Sequence, residues 1–411
     1  MDNNFFISTS PEMNLLLITN RCPFPPIDGY TIAVCNMLRG IIESGIQVTL
    51  LSMNTKRHFQ TPEDIDAKYS NLCQCHYIYV DNRIKYSAAF LNLFSSDSYN
   101  IVRFYSKDFE HALTELLKSG NFDLVQLEGL NLCLYIDAIR KSSKARIVLR
   151  AHNVEYLIWE RLAAGEMNYF RKKYFKLLAG RLKNFETNQM ARIDALIPIT
   201  GQDASIFRII RPDLKIKVAP LGIYPDEYPF SRAGNKDISL FHLGALNWKP
   251  TVQGLLWFFG NVWPEVNRRF KDLKFYIAGR QAARWFTQMN FPGAVISGEV
   301  KDAIEFMKKY QVMLVPLLAG SGIRVKIIEA MAMGKTIIST RIGCEGIDVT
   351  DGVNILIADS KDEFIDKIRL CINDPSTAEQ IGVNARKRAE EKYNNRKISA
   401  EVAEFYIKVL E

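Results

Sequence analysis

The sequence predicts an α/β protein of two doubly wound domains, each a parallel sheet covered by helices. Three observations carry that prediction. Short unbroken apolar runs recur with helical patterns between them, as expected of parallel strands buried on both faces. The alternation halts once, in a polar, proline-punctuated stretch over 220–236, and then restarts. The chain has 411 residues, 48% hydrophobic and 24% charged, enough for two domains that each bury a core.

The first strand is expected at 15–18, followed by a loop over 20–29 containing Pro23, Pro25, Pro26 and Gly29. A helix over 31–44 follows from the spacing of Ile32, Cys35, Leu38 and Ile41. Further strands are expected at 48–51, 75–80, 124–127, 147–150 and 195–199. After the connector, strands fall at 240–244, 275–279, 294–297, 313–316, 336–340 and 354–357. Helices are expected over 254–267, 324–333 and 361–373, and the 377–411 tail reads as helical with a break near 393–395. The expected division is an N-terminal domain over 1–222, a linker over 223–236 and a C-terminal domain over 237–392. The final helix, 393–411, is expected to cross back to the first domain. Two such domains facing one another would leave an interdomain cleft, a favoured place for a small molecule.

Fifty-three basic against 45 acidic side chains give a formal charge of +8, which favours anionic partners. No zinc-finger spacing or aromatic–basic repeat points to nucleic acid. The longest apolar runs, such as 255–259, fall well short of the ~20 residues that span a bilayer. Residues 1–4 lack the basic start of a signal peptide, and seven irregularly spaced cysteines do not make a secreted disulfide framework. A cytoplasmic protein is therefore expected. Cys73, Cys75 and His76 have no second ligand pair at zinc-finger spacing, so a buried strand explains them at least as well as a metal.

The informative stretch follows the strand that ends at Pro316. A glycine loop (Gly320, Gly322) leads into a helix with Arg324 and Lys326 in its first turn. Unpaired N–H groups and the helix dipole attract anions there, whereas first-turn cations are unfavourable unless an anion offsets them. Glu329 lies eight residues beyond Ser321, about 12 Å along a helix at ~1.5 Å per residue. Phosphates at the loop and hydroxyls further along one ligand would fit that span.

The run Gly320-Ser-Gly-Ile-Arg-Val-Lys-Ile-Ile-Glu-Ala-Met-Ala-Met-Gly-Lys-Thr, continuing to Gly346, closely resembles the signature of retaining glycosyltransferases of family 4, which have the GT-B fold. The resemblance extends to Gly244-Ala-Leu-Asn-Trp-Lys-Pro, Ile277-Ala-Gly-Arg280 and Gly298-Glu-Val-Lys-Asp302. In the first half it takes in the 23–29 loop, Arg150-Ala-His-Asn-Val-Glu155 and Ala219-Pro-Leu-Gly-Ile223. It implies a nucleotide-sugar donor, a UDP- or GDP-sugar, held mainly by the C-terminal domain. Carried over, Glu329 would bind the ribose hydroxyls, and the loop of Gly320, Ser321, Gly322 and Ile323 with Arg324 and Lys326 would cradle the diphosphate. Gly244, Lys249, Gly279, Arg280 and Val300 would line the donor site, with Gly29 approaching the phosphates from the other domain. His152 matches the family's active-site histidine.

The chain departs from the family pattern in places. Ser321 stands where most members carry the first of two glutamates. Ala245 replaces an arginine, and Lys249 lies one residue early, with Pro250 at the usual lysine position. The expectation is that Arg324 and Lys326 take over neutralisation of the diphosphate, so that no metal or other cofactor is required. The implied acceptor is a glycan or lipid-linked glycan. A catalytically silent nucleotide-sugar-binding subunit and a nucleotide-sugar epimerase are the rival readings.

Residues 169–185 contain six cations and no acidic residue, with an apolar stripe of Phe170, Tyr174, Leu178, Leu182 and Phe185. A helix packing that stripe on the domain core is the preferred reading. Peripheral contact with the inner face of a membrane is its competitor.

Overall fold

The computed structural model describes residues 13–61, 65, 69, 71–92, 94–230, 238–320 and 322–411. The chain divides into two compact units, Met1–Gly222 with Asn395–Glu411, and Ile223–Asn394. Residues 223–230 thus belong to the second unit, and the remainder of the expected linker, together with Ser321, lies outside the described residues.

The first unit holds seven strands: β1 Asn14–Thr19, β2 Gln47–Thr55, β3 Gln74–Val80, β4 Leu124–Glu128, β5 Arg146–Ala151, β6 Ala195–Pro198 and β7 Lys215–Ile216. They form one parallel sheet in the order β3-β2-β1-β4-β5-β6-β7. β1 shows why its sequence is apolar without alternation. Leu15 and Leu17 enter the core on one face, and Leu16 and Ile18 enter the core on the other. The first helix, Gly29–Glu43, begins two residues earlier than its apolar spacing suggests, because Asp28 caps it and forms a capping box with Thr31. β7 is only two residues long, too short to leave any period in the sequence.

The helix Asn395–Leu410 completes this unit, placing Ile398, Val402, Phe405, Tyr406 and Val409 in its core. That spacing is one helical face. Gly40 permits the approach: a Cβ there would lie 2.0 Å from Ser399 Oγ.

The second unit is a six-stranded parallel sheet: β8 Leu240–Leu243, β9 Phe275–Ala278, β10 Ala294–Gly298, β11 Val312–Val315, β12 Thr336–Ser339 and β13 Leu356–Ile357. The order is β10-β9-β8-β11-β12-β13. The helix expected over 254–267 is two helices, Lys249–Asn261 and Trp263–Arg269. Pro264 has no N–H for a continuous ladder and its ring would clash with the preceding turn. The first of the two starts at Lys249 because Pro250 suits a first turn. Phe258, Trp263, Phe275 and Phe364 pack at the centre of this unit's core.

Candidate functional site

In each unit the winding reverses between two neighbouring strands, β1 and β4 in the first, β8 and β11 in the second. Loops leaving the carboxyl ends of such strands diverge and leave a crevice, where ligands of doubly wound sheets bind.

In the second unit the loop after β11 enters the helix Val325–Ala332, with Arg324 at its N-cap. Gly320 and Gly322 have φ of +140° and +81°, which other residues rarely adopt. A Cβ on Gly320 would also lie 2.4 Å from Arg324 Nη2 and 2.9 Å from the Trp248 ring. The Arg324 guanidinium lies over that ring, 4.9 Å from its centroid, and donates to the Gly322 carbonyl. Thus the β8 loop supplies an aromatic platform for a cation of the β11 loop. Burial pulls Arg324 below the usual arginine value, while Glu345 opposes the shift.

Lys326 pairs with Glu329 at 2.6 Å, one turn along the helix. Glu329 is buried, and its other oxygen accepts from the Tyr228 hydroxyl at 3.1 Å. Burial and the Glu329 charge push that phenol far above its ordinary value, so it stays a donor. The carboxylate expected to meet ribose hydroxyls therefore already receives a hydroxyl. The neighbouring strand ends are packed backbone to backbone. Gly244 N–H donates to Ala278 O at 3.2 Å, Gly279 N–H to Gly298 O at 2.7 Å, and Leu246 N–H to Arg280 O at 3.1 Å. A Cβ on Gly279 would lie 1.7 Å from Gly244 O, so only glycine fits. Arg280, Val300 and Ile323 are half-buried, and Lys249 is exposed at the start of its helix.

In the first unit His152 follows β5, and its Nε2 lies 2.7 Å from Glu128 Oε2 at the end of β4. The same oxygen is 3.3 Å from Arg150 Nη1, and Gln126 Nε2 donates to the other at 2.6 Å. Tyr406 of the final helix donates to Gln126 in turn. Burial raises the Glu128 carboxyl, but Arg150 and the His152 and Gln126 contacts outweigh it and hold it below its usual value. An ionised Glu128 can only accept, so His152 Nε2 carries the hydrogen and Nδ1 is left as the basic nitrogen of the neutral ring. The ring packs on Tyr30, centroids 5.1 Å apart. Gly29 is exposed at the first position of the neighbouring helix.

The structure thus gathers Gly320, Gly322, Ile323, Arg324, Lys326 and Glu329 on one loop and helix. Gly244, Lys249, Gly279, Arg280 and Val300 sit on loops at the same sheet edge, and His152 and Gly29 belong to the other unit. The sequence reading missed Glu128, Tyr228 and Trp248. Glu128 had a signal, a carboxylate closing an otherwise apolar strand. Tyr228 and Trp248 had none, since their partners are remote in sequence. Among the described residues, no three His, Cys, Asp or Glu side chains are placed to hold a metal ion. Cys73 and Cys75 instead meet each other, with sulfurs 3.7 Å apart.

Residues 237–374 match the family model described as Glycosyl transferases group 1. Over 408 residues the chain is 22% identical to an uncharacterized 44.6 kDa protein in the cps region of Klebsiella pneumoniae, covering 94% of this chain and 98% of that one. Among solved structures it is similar to sucrose-phosphate synthase from Thermosynechococcus elongatus. The TM-score is 0.69 and the identity 14%, over 97% of this chain and 99% of that one. It is also similar to Anabaena Alr3699/HepE in complex with UDP, with a TM-score of 0.63 and 14% identity over 95% and 98% of the two chains. These likenesses show a GT-B fold.

Proposed function

We propose that this chain is a retaining glycosyltransferase that takes a sugar from a nucleoside diphosphate donor, UDP- or GDP-linked, and gives it to a glycan or lipid-linked glycan. The observation that carries the reading is Arg324 held over Trp248 at the N-terminus of the Val325–Ala332 helix, with Lys326 and Glu329 following on that helix. That arrangement suits a diphosphate, whose charge meets a guanidinium, an ammonium and helix N–H groups together. The group 1 match over the same residues and the UDP bound by HepE support it.

In the proposed reaction the bond between the sugar C1 and the diphosphate oxygen breaks while the acceptor hydroxyl oxygen bonds to C1 from the same face. The hydroxyl proton passes to the departing phosphate oxygen. Negative charge accumulates on that diphosphate, and Arg324 and Lys326 stabilise it more in the transition state than in the bound donor. Lys326 would exchange Glu329 for phosphate as the donor enters. Glu329 would then turn to the ribose, with Tyr228 still holding one oxygen. His152, kept in one tautomer by Glu128, would present Nδ1 towards the transferring sugar. Neutralisation by these cations leaves no step that needs a metal.

The test is a thermal-shift panel of UDP, GDP and their sugars, followed by assay of nucleotide release with and without acceptor extract. A rise in melting temperature with one base, and acceptor-dependent release, is expected. A shift without any turnover would favour the silent binder, and no shift with any nucleotide would overturn the reading.

The acceptor is proposed to lie at a cytoplasmic membrane surface. The helix Tyr169–Met190 buries Leu178, Ala179 and Leu182 but leaves Phe170 80% exposed, with Tyr169 and Leu177 exposed as well. The apolar stripe therefore packs on the core only in its second half. Met167 is 97% exposed and Phe94 81%, and Arg181 donates to Asn92 O at 2.8 Å. Exposed rings among Arg171, Lys172, Lys173 and Lys176 are the composition that binds anionic lipid. No helix among the described residues is long and apolar enough to cross a membrane. Co-sedimentation with vesicles containing phosphatidylglycerol, and none with phosphatidylcholine alone, is the expected result. Absence of binding at low salt would remove the membrane surface from the proposal.

A further inference from the structure

The first unit contains a cavity of about 340 Å³ at its own winding reversal, between the loops after β1, β4 and β5. That volume is at the lower end of the roughly 300–1,000 Å³ of small-molecule sites. Asn20, Asn100, Asn131 and Asn153 line it, together with Trp159 and His152. Amides beside an indole suit a hydroxylated ring with one apolar face.

The lining also contains a charge, Arg103, that forms no ion pair among the described residues. Arg103 is half-buried, and its guanidinium packs 4.9 Å from the Phe104 ring centroid. Among the described residues Nη1 donates to Asn82 O at 3.3 Å, and Nε is buried without a partner. The Nδ2 of Asn100, three residues earlier, is likewise buried and unpartnered. Two other buried or half-buried arginines in this unit meet carboxylates: Arg150 meets Glu128, and Arg21 meets Asp28 at 2.5 Å. Glu155 is the one carboxylate in the cavity lining, and it forms no ion pair with Arg103. Burial, with a smaller push from Asp203, raises Glu155 to about 7 against the bond from Asn153, so it is a poor counter-ion near neutral pH. Burying a guanidinium without an anion is costly unless one arrives with the ligand.

We propose that this cavity binds an oxyanion carried by the acceptor sugar, a carboxylate or a phosphate, with Arg103 as its counter-ion and Asn100 as a second donor. The word acceptor rests on the function proposed above; the anion site does not. The anionic group enters beside Arg103, and the sugar ring lies among the amides and Trp159, towards His152.

The test compares methyl glucuronide, glucose 6-phosphate and neutral methyl glucoside for binding to the full chain, by ligand-observed NMR and tryptophan fluorescence. UDP and GDP binding are measured on the same samples. At least one anionic sugar is expected to bind ten-fold or more tightly than the glucoside, and the tighter of the two identifies the oxyanion. Arg103→Gln should abolish that preference, and Arg103→Lys should keep part of it, with the melting temperature and UDP response of both variants showing that they fold. The proposal is overturned if neither anionic sugar binds, if the glucoside binds equally well, or if Arg103→Gln leaves the preference intact. A protein that ignores both UDP and GDP yet keeps an Arg103-dependent preference would refute the transferase reading and leave this site standing.

Discussion

Glu128 accepts from or pairs with Arg150, His152 and Gln126 while fully buried, so its removal leaves more than a lost contact. Glu128→Gln would strand Arg150 in the core, and a destabilisation of about 3–5 kcal/mol is expected in urea unfolding. It would also free His152 to take either tautomer. Arg324 differs, because its guanidinium lies over Trp248 at the N-cap of the Val325–Ala332 helix. Arg324→Ala should weaken binding of the proposed nucleoside diphosphate about ten- to a hundred-fold, as for a charged hydrogen bond of about 1.5–3 kcal/mol, and flatten its salt dependence. Calorimetry at two ionic strengths checks both. Unchanged affinity and salt slope would show that Arg324 has not taken over the missing cations of the β8 loop.

Among the elements, the two glycine turns of the second unit make different predictions. A Cβ on Gly279 meets a carbonyl oxygen that cannot move aside, so Gly279→Ala should destabilise the whole unit. A Cβ on Gly320 meets only side chains, Arg324 and Trp248, although its φ of +140° adds strain. Gly320→Ala should therefore cost UDP affinity more than stability, read from binding and melting on one sample. The glycines themselves were legible in the sequence, and so was the cationic helix start. The distinction between them was not, because it depends on which atoms face each glycine. The 254–267 helix failed for a local reason, a proline inside an apolar stripe.

At the scale of the molecule, the two units should answer pH in opposite senses. Burial pushes Glu186 to about 8, helped by the Glu155 charge, and Glu155 to about 7. Both are above the unfolded value, so the folded unit holds protons more tightly than the unfolded chain. Their contribution is complete below about pH 4 and fades as pH rises towards 8. His242 is pulled by burial from 6.5 to about 4, with its bond to Leu314 O opposing. There the unfolded chain takes the proton first, so the second unit loses stability as pH falls from about 6.5 to 4. Calorimetric scans from pH 4 to 8 should show the two transitions moving in opposite directions, with His242→Gln removing the acid sensitivity assigned to the second unit. Deleting Asn395–Leu410 should unfold the first unit and leave the second folded, since that helix buries Ile398, Val402, Phe405 and Tyr406 in the first.

By itself the sequence determined the run of strands and helices, the glycine loop before a cationic helix start and the histidine after β5. Each is written in neighbouring residues, through a period or a turn that local sterics impose. Only the tertiary structure decided that Glu128 holds His152, that Trp248 carries Arg324, that Tyr228 bonds Glu329 and that Arg103 lines a cavity with no ion pair among the described residues. Tyr228 and Glu329 are 101 residues apart in the chain, and Glu128 and His152 are 24 apart. Glu128 and His152 meet because the parallel neighbours β4 and β5 end at one sheet edge, and Tyr228 meets Glu329 across the packed second unit; neither contact leaves a period in the chain to read.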